Sequence, residues 1–157
     1  MGSKREKIKM TPDEVAAYLA GHVKVQVATV GRDGAPHLVT MFYALLDGKI
    51  AFTTYRASQK VLNLRRDPTM TCLVEDGMEY GELRGVALYG RGRVVEDPEA
   101  TMRVGAVIGP RTAGLPAPEM DAPIDPALAA GLEKAMAKRV LVVMEPDRIV
   151  SWDHAKA

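Results

Sequence analysis

The chain has almost no cysteine: Cys72 is the only one in 157 residues. An internal disulfide and a multi-cysteine metal site are thereby excluded. Cys72 falls in an apolar run, which marks it as a buried, inert thiol. Histidine is nearly as scarce. His22, His37 and His154 are far apart, and none belongs to an HExxH or similar ligand pair, so no metal site is expected. There is also no excess of charge of either sign. Lys and Arg number 21 against 20 Asp and Glu, a formal net charge of +1, so no bulk attraction to nucleic acid or to a membrane surface is expected. No apolar stretch is long enough to span a bilayer. The charged start, MGSKREKIKM, leads into no hydrophobic segment of the signal-peptide kind, and Glu6 breaks the myristoylation pattern. A cytoplasmic location is expected. No GxGxxG follows the first predicted strand, so the dinucleotide-binding fingerprint is missing.

What is present is ordinary for a globular protein: 47% hydrophobic and 26% charged residues. The length fits one domain with a full core. That domain is expected over residues 11–157, after a flexible basic tail, residues 1–10, carrying Lys4, Arg5, Lys7 and Lys9. Thr11-Pro12-Asp13-Glu14 reads as a capping box opening a helix that ends near Gly21. Residues 23–30 alternate as a strand. After the GRDGAP turn, LVTMFYALL reads as a second strand. Asp47-Gly48 is a hairpin turn into a third strand, KIAFTTY. A short helix is predicted at 58–66, stopped by Pro68. The strand MTCLVE follows, then a long strand over 83–96 whose Gly85, Gly90 and Gly92 permit bulges. Helices are expected at 98–108 and 126–137, with a proline-rich surface loop at 109–125 between them. RVLVVMEP and DRIVSWD read as two closing strands. Six or seven short strands joined by tight turns imply antiparallel pairing. The fold class is mainly β: an antiparallel, closed or split β-barrel with flanking helices.

The stretch Thr53–Pro68, TTYRASQKVLNLRRDP, breaks a helix rule. Acidic residues are favoured at a helix N-terminus, yet this helix start carries Arg56 and Lys60 and has no carboxylate before Asp67. Cations are accommodated there when an anion, most often a phosphate, lies between them and the free backbone amides. Thr53, Thr54 and Ser58 offer hydroxyl donors. Two readings fit: a phosphate cradle, or an N-cap serine followed by a solvated basic face. Arg65 and Arg66 lie in the last turn, where the dipole favours cations in any case.

The order GRDGAPHLVTMFYALLDGKIAFTT, SQKVLNLRRDP, a strand ending in EDG, LRGV and a C-terminal SWDH resembles the pyridoxamine-phosphate-oxidase-like split-barrel superfamily. Within it the actinobacterial branch that uses the deazaflavin coenzyme F-420 is the best match, from about Thr11 to His154. The resemblance implies that the second strand, at Leu38, Val39, Thr40, Met41 and Phe42, lies along the cofactor ring. It implies that Thr53, Thr54, Ser58, Gln59 and Lys60 hold the cofactor phosphate, with Asn63 supporting Lys60 one turn on. The oxidase proper has an arginine where this chain has Gln59, and Arg56 is a candidate to replace its charge. The resemblance implies that Trp152, the only tryptophan, walls the site from a partner subunit; an edge packing role fits it equally. A homodimer with cofactor sites at its interface is implied.

The implied activity is hydride transfer from reduced F-420 to an activated double bond of a small molecule. Such chemistry belongs to the cofactor, so the sequence need show no catalytic constellation, and no catalytic residue is assigned. Tyr43, Tyr55, Tyr89 and His37 are candidate proton donors by chemistry alone, each equally readable as a packed aromatic or hydrogen-bonded residue. Arg84, Arg91 and Arg93, with Arg56, Lys60, Arg65 and Arg66, are expected to form a basic groove for the anionic tail of the deazaflavin. The alternatives are an FMN enzyme of the same fold and a cofactor-binding protein without turnover. The chain lacks an arginine-rich C-terminal motif for pyridoxal phosphate, which disfavours vitamin B6 oxidation.

Overall fold

A computed structural model describes residues 2–157. Its helices are α1 (Lys4–Lys7), α2 (Pro12–Ala20), α3 (Gln59–Arg66), α4 (Pro98–Thr112) and α5 (Pro126–Met136). Its strands are β1 (Lys24–Val30), β2 (Pro36–Phe42), β3 (Ala44–Leu46), β4 (Lys49–Tyr55), β5 (Thr69–Asp76), β6 (Arg84–Val95) and β7 (Arg139–Asp153). All strand pairs are antiparallel, in one seven-stranded sheet of order β2-β1-β5-β6-β7-β4-β3. The two strands at the ends of this order, β2 and β3, are separated in sequence only by Tyr43. A sheet whose first and last strands share a one-residue connection has to curl on itself. The expected split barrel follows from that connectivity.

The expected single strand LVTMFYALL is therefore two strands. At Tyr43 the chain leaves β1 for β4. The Tyr43 amide donates to the carbonyl of Val23, and its phenol, fully buried, donates to the carbonyl of Leu19. In contrast, the two expected closing strands are one. Tyr89 pairs with Arg148 and Gly90 with Pro146, so Asp147 is the extra residue of a bulge. The bulge lets β7 bend past Pro146 where a regular ladder would break. Gly90 is required there, because a Cβ on it would lie 2.1 Å from the Glu145 carbonyl oxygen. Gly90→Ala is expected to destabilise the fold by roughly 1–3 kcal/mol, the usual range for overpacking, read as a lower urea midpoint.

Two apolar clusters hold the barrel. Val25, Val27, Phe52, Met70, Val86 and Val142 are among the side chains filling its interior with Tyr18 and Leu19 of α2. Cys72 belongs to this cluster, and burial pushes its thiol up to about 12, as expected for an inert cysteine. A second cluster joins Val104 and Val107 of α4 to Ala51, Leu141 and Val143. α4 runs to Thr112, past the expected end at 108 and through Pro110. Its last turn is held by tertiary contacts: Arg111 donates to the carbonyl of His22 and lies over the Tyr43 ring.

The basic N-terminal segment is not wholly a free tail. Ile8 and Met10 are buried, the Asp153 amide donates to the Ile8 carbonyl, and the Met10 amide donates to Ser151. Two apolar residues among the lysines supply the reason for docking, and they lie before the expected domain boundary at Thr11.

Candidate functional site

β4 ends at Tyr55, and a tight turn closed by the Ser58 amide on the Tyr55 carbonyl leads into α3. Val61 and Leu64 of α3 face the core, which fixes the helix across the end of the barrel. Among the described residues, α3 is the one α-helix whose N-cap side chain makes no capping bond, and its first turn has no acidic residue. The first amides of a helix have no partner within it. Lys60 donates to Thr54 Oγ1 at 2.9 Å, and that hydroxyl reaches Ser58 Oγ at 3.3 Å. Thr54 is buried and anchors this corner.

A second cation acts on Lys60 from the other face of the sheet. Arg139, the first residue of β7, pairs with Tyr55 across the sheet, lies over its ring at 4.3 Å and donates to the Thr53 carbonyl at 3.3 Å. Its Nε is buried without a hydrogen-bond partner. Burial, and then the charge of Arg139, hold the Lys60 ammonium below its ordinary pKa. A desolvated ammonium tied to Thr54 and Ser58 at an uncapped helix N-terminus, with a further guanidinium near enough to repel it, is a set of groups suited to an oxyanion. Arg139 escaped sequence reading. It lies far downstream of the helix, at the head of an apolar strand, and only the pairing of β4 with β7 brings it here.

The structure sorts the other expected site residues. Thr54, Ser58 and Lys60 come together. Thr53 is buried too, but alternation along β4 turns its side chain to the face opposite Thr54. Gln59 donates to Asn63 Oδ1 at 2.8 Å, and Asn63, fully buried, donates to Thr29 Oγ1 at 3.0 Å. Asn63 thus ties α3 to β1 and makes no bond to Lys60. Arg56 pairs with Glu96 at 2.9 Å, as Arg65 does at 3.1 Å. The run Leu38–Phe42 divides by strand alternation. Leu38, Thr40 and Phe42 are exposed on the outer face, whereas Val39 and Met41 pack against the core. Trp152 is at the opposite end of β7 from Arg139, lying over Gly85, where a Cβ would meet its ring at 2.3 Å. Within one chain it does not join the cradle.

The expected basic groove is not a surface of free cations. Arg84 pairs with Asp76, Arg93 with Glu145 and Arg66 with the Val30 carbonyl. Of the candidate proton donors, Tyr43 is a core residue whose phenol burial pushes up from its ordinary pKa. Tyr55 lies beneath Arg139, and Tyr89 beneath Arg148 on the outer face. His37 has a buried, unpartnered Nδ1. Among the described residues no three His, Cys, Asp or Glu side chains are grouped to hold a metal ion, and no helix is long and apolar enough to cross a membrane.

A curled seven-stranded antiparallel sheet with flanking helices is the architecture of the split β-barrels. The chain belongs to the pyridoxamine 5'-phosphate oxidase family, whose sequence profile matches residues 11–153. Among solved structures it is similar to a conserved hypothetical protein of Mycobacterium tuberculosis, at 39% identity over 99% of this chain and 92% of that one, with a TM-score of 0.87. It shares its fold with an FAD-binding protein of Mesorhizobium loti (16% identity, 91% and 94% coverage, TM-score 0.67). It also shares it with an F-420 reductase (21% identity, 95% and 98% coverage, TM-score 0.53). Haem-binding proteins are among the further fold matches. A search of curated proteins gave no match.

Proposed function

We propose that the chain binds the phosphate of a flavin-type cofactor, the deazaflavin F-420, between Lys60 and the N-terminus of α3, and uses it to reduce an activated double bond of a small molecule. The observation that carries this reading is Lys60, half-buried and joined to Thr54 and Ser58 beside the uncapped first amides of α3, a helix whose first turn has no carboxylate. When bound, such a cofactor supplies the hydride carried on its ring. The chain's task is to hold and orient it. Lys60 neutralises phosphate charge, and Ser58 and the first amides of α3 donate to phosphate oxygens. Arg139 adds its positive charge to the field at this corner. On the outer face, Leu38, Thr40 and Phe42 offer the side chains for ring contact, and Val39 and Met41 keep β2 seated on the core.

One observation favours a second reading, FMN. Of the cations beyond the cradle, Arg56, Arg65, Arg84 and Arg93 are already matched by Glu96, Asp76 and Glu145, while Arg91 has no ion pair among the described residues, which suits a cofactor without a long anionic tail. Parallel titration with F-420 and FMN, followed by fluorescence, separates the two. Tighter F-420 binding supports the first, and tighter FMN binding with oxygen-dependent turnover replaces it with the second. Turnover of enones or nitro compounds supports an enzyme, and cofactor binding without turnover points to a sequestering role.

The site is proposed to lie at a homodimer interface. A row of facing residues crosses five strands of the outer face: Thr40, Gln26, Leu73, Ala87 and Val150. Leu38 and Phe42 flank it, exposed. An isologous pair of such faces would cover these side chains and bring Trp152 of one subunit toward the other's cofactor. Light scattering is expected to give twice the chain mass, and a monomer that binds cofactor tightly would refute the interface.

A further inference from the structure

An apolar hollow lies apart from the cradle. It is a cavity of 590 Å³ walled by α4, the 113–125 loop and α5, within the range of small-molecule sites. Val107 of α4, Met120 and Ile124 of the loop, and Leu128 and Leu132 of α5 line it. None of the buried polar atoms left without a partner lies in its wall. Of the charges at its rim, Arg103 pairs with Glu99 at 2.8 Å and Asp125 caps α5 through the Ala127 amide at 2.8 Å, which among the described residues leaves Glu119 as the one whose side chain has no partner. Water needs two to four polar partners to settle in such a space, and a phosphate or carboxylate would meet only a like charge.

The surrounding elements keep this space open. Gly109 on α4 and Gly131 on α5 both line it, and a Cβ on either would meet nothing within 4 Å. Mid-helix glycine costs up to about 1 kcal/mol against alanine, so two of them bordering one void are unfavourable for the helices and favourable only for access to the void. α5 itself has no buried residue. It is seated by Met136, whose sulfur lies 2.8 Å from where a Cβ on Gly105 would be, while Leu128, two turns earlier, remains 66% exposed. A short helix without a buried face is marginal in water, and an apolar guest between Leu128, Leu132 and α4 would provide that face. Glu133 and Lys134 of α5 are exposed beside the hollow, Glu133 lining the neighbouring one. A protein partner commonly needs a patch of about 800 Å² on each side, which a concave pocket with charged surroundings does not offer.

We infer that this cavity is a binding site for an uncharged, apolar small molecule, an aromatic or alicyclic compound, whose residues are separate from Lys60, Arg139 and the other groups of the cradle. The site stands whether or not the cradle holds a flavin. It adjoins the cradle's flank: Met136 and Met102 of the same two helices line a neighbouring hollow with Arg56 and Arg139.

The test is titration of the full chain with N-phenyl-1-naphthylamine, a neutral fluorescent probe, in the parent and in Gly131→Leu and Gly109→Leu, which fill the void. Saturable fluorescence enhancement with one probe per chain is expected, weakened at least about tenfold in both variants, the size of one well-buried side chain's worth of contact. Methyl NMR of the parent is expected to shift Val107, Ile124, Leu128 and Leu132 on probe addition, and this holds the test if a leucine variant fails to fold. Absence of saturable binding, equal affinity in both folded variants, or shifts confined to another surface would overturn the site. So would a change of mass in the filled variants without probe binding in the parent, which would make the hollow a contact between copies of the chain.

Discussion

Lys60→Ala and Arg139→Ala are each expected to weaken cofactor binding about ten- to a hundred-fold, since charge-assisted contacts are worth about 1.5–3 kcal/mol. The double variant is expected to abolish measurable binding while circular dichroism stays unchanged. A purely structural role for the two residues would not give this pattern. It would move stability, and in the unliganded chain the expected change on losing Lys60 is favourable. Burial and Arg139 hold the Lys60 pKa below its unfolded value of 10.5, so the folded state binds fewer protons than the unfolded state in the alkaline window just below 10.5. Stability of the unliganded chain therefore rises with pH through that window, and Lys60→Ala removes the rise. Added phosphate or cofactor stabilises most below the window, where the ammonium is charged. Unchanged cofactor affinity in both single variants, or a pH profile insensitive to Lys60, would refute the cradle.

Tyr43→Ala is expected to be the most damaging substitution in the barrel, costing about 3–5 kcal/mol as large aromatic truncations in cores do. The ring is fully buried where β2 becomes β3. Its loss leaves a void at the closure and removes the surface on which Arg111 rests. Tyr43→Phe keeps the ring and removes only the bond to the Leu19 carbonyl. It is expected to cost about 1–3 kcal/mol, because that carbonyl is left buried and unmatched. Urea unfolding of the two variants separates packing from hydrogen bonding. A Phe variant as unstable as the Ala variant would mean that the hydroxyl, and not the ring, holds the seam.

Local chemistry made most elements legible. The capping box at Thr11 and Glu14 is present as expected, with Thr11 accepting from the Glu14 amide and Glu14 from the Thr11 amide. Asp47-Gly48 does turn β3 into β4, both residues at positive φ. The missing acid at the start of α3 pointed to the corner where Thr54, Ser58 and Lys60 meet. What stayed hidden depends on pairing between distant strands. Nothing in LVTMFYALL marks Tyr43 as the point where the chain changes partners, since every residue there favours a strand. Pro146 signals a break, and the bulge that cancels it involves Gly90, far away in sequence. Arg139 is invisible as a site residue until β7 lies against β4, and the pairing of Arg56 and Arg65 with Glu96 needs the end of β6 beside α3. The alternating exposure along β2 was readable in principle. A strand period of two already assigns Val39 and Met41 to the face opposite Leu38, Thr40 and Phe42.

The seam at Tyr43 also determines where this chain can be cut. The two chain ends lie close together: the Asp153 amide bonds to the Ile8 carbonyl, and Lys156 reaches Glu14. A short linker could therefore join them and new termini be opened elsewhere. Opened at Asp47-Gly48, a circularly permuted chain keeps the covalent link between the outermost strands and loses only a hairpin turn. Opened at Tyr43, it keeps the same two edge strands, β2 and β3, but loses the covalent link that holds them side by side, which frees their unpaired amides and carbonyls for neighbouring molecules. The first permutant should remain a closed, dispersed protein, and the second should self-associate, because the barrel is shut by the order of the chain and not by a ladder between β2 and β3.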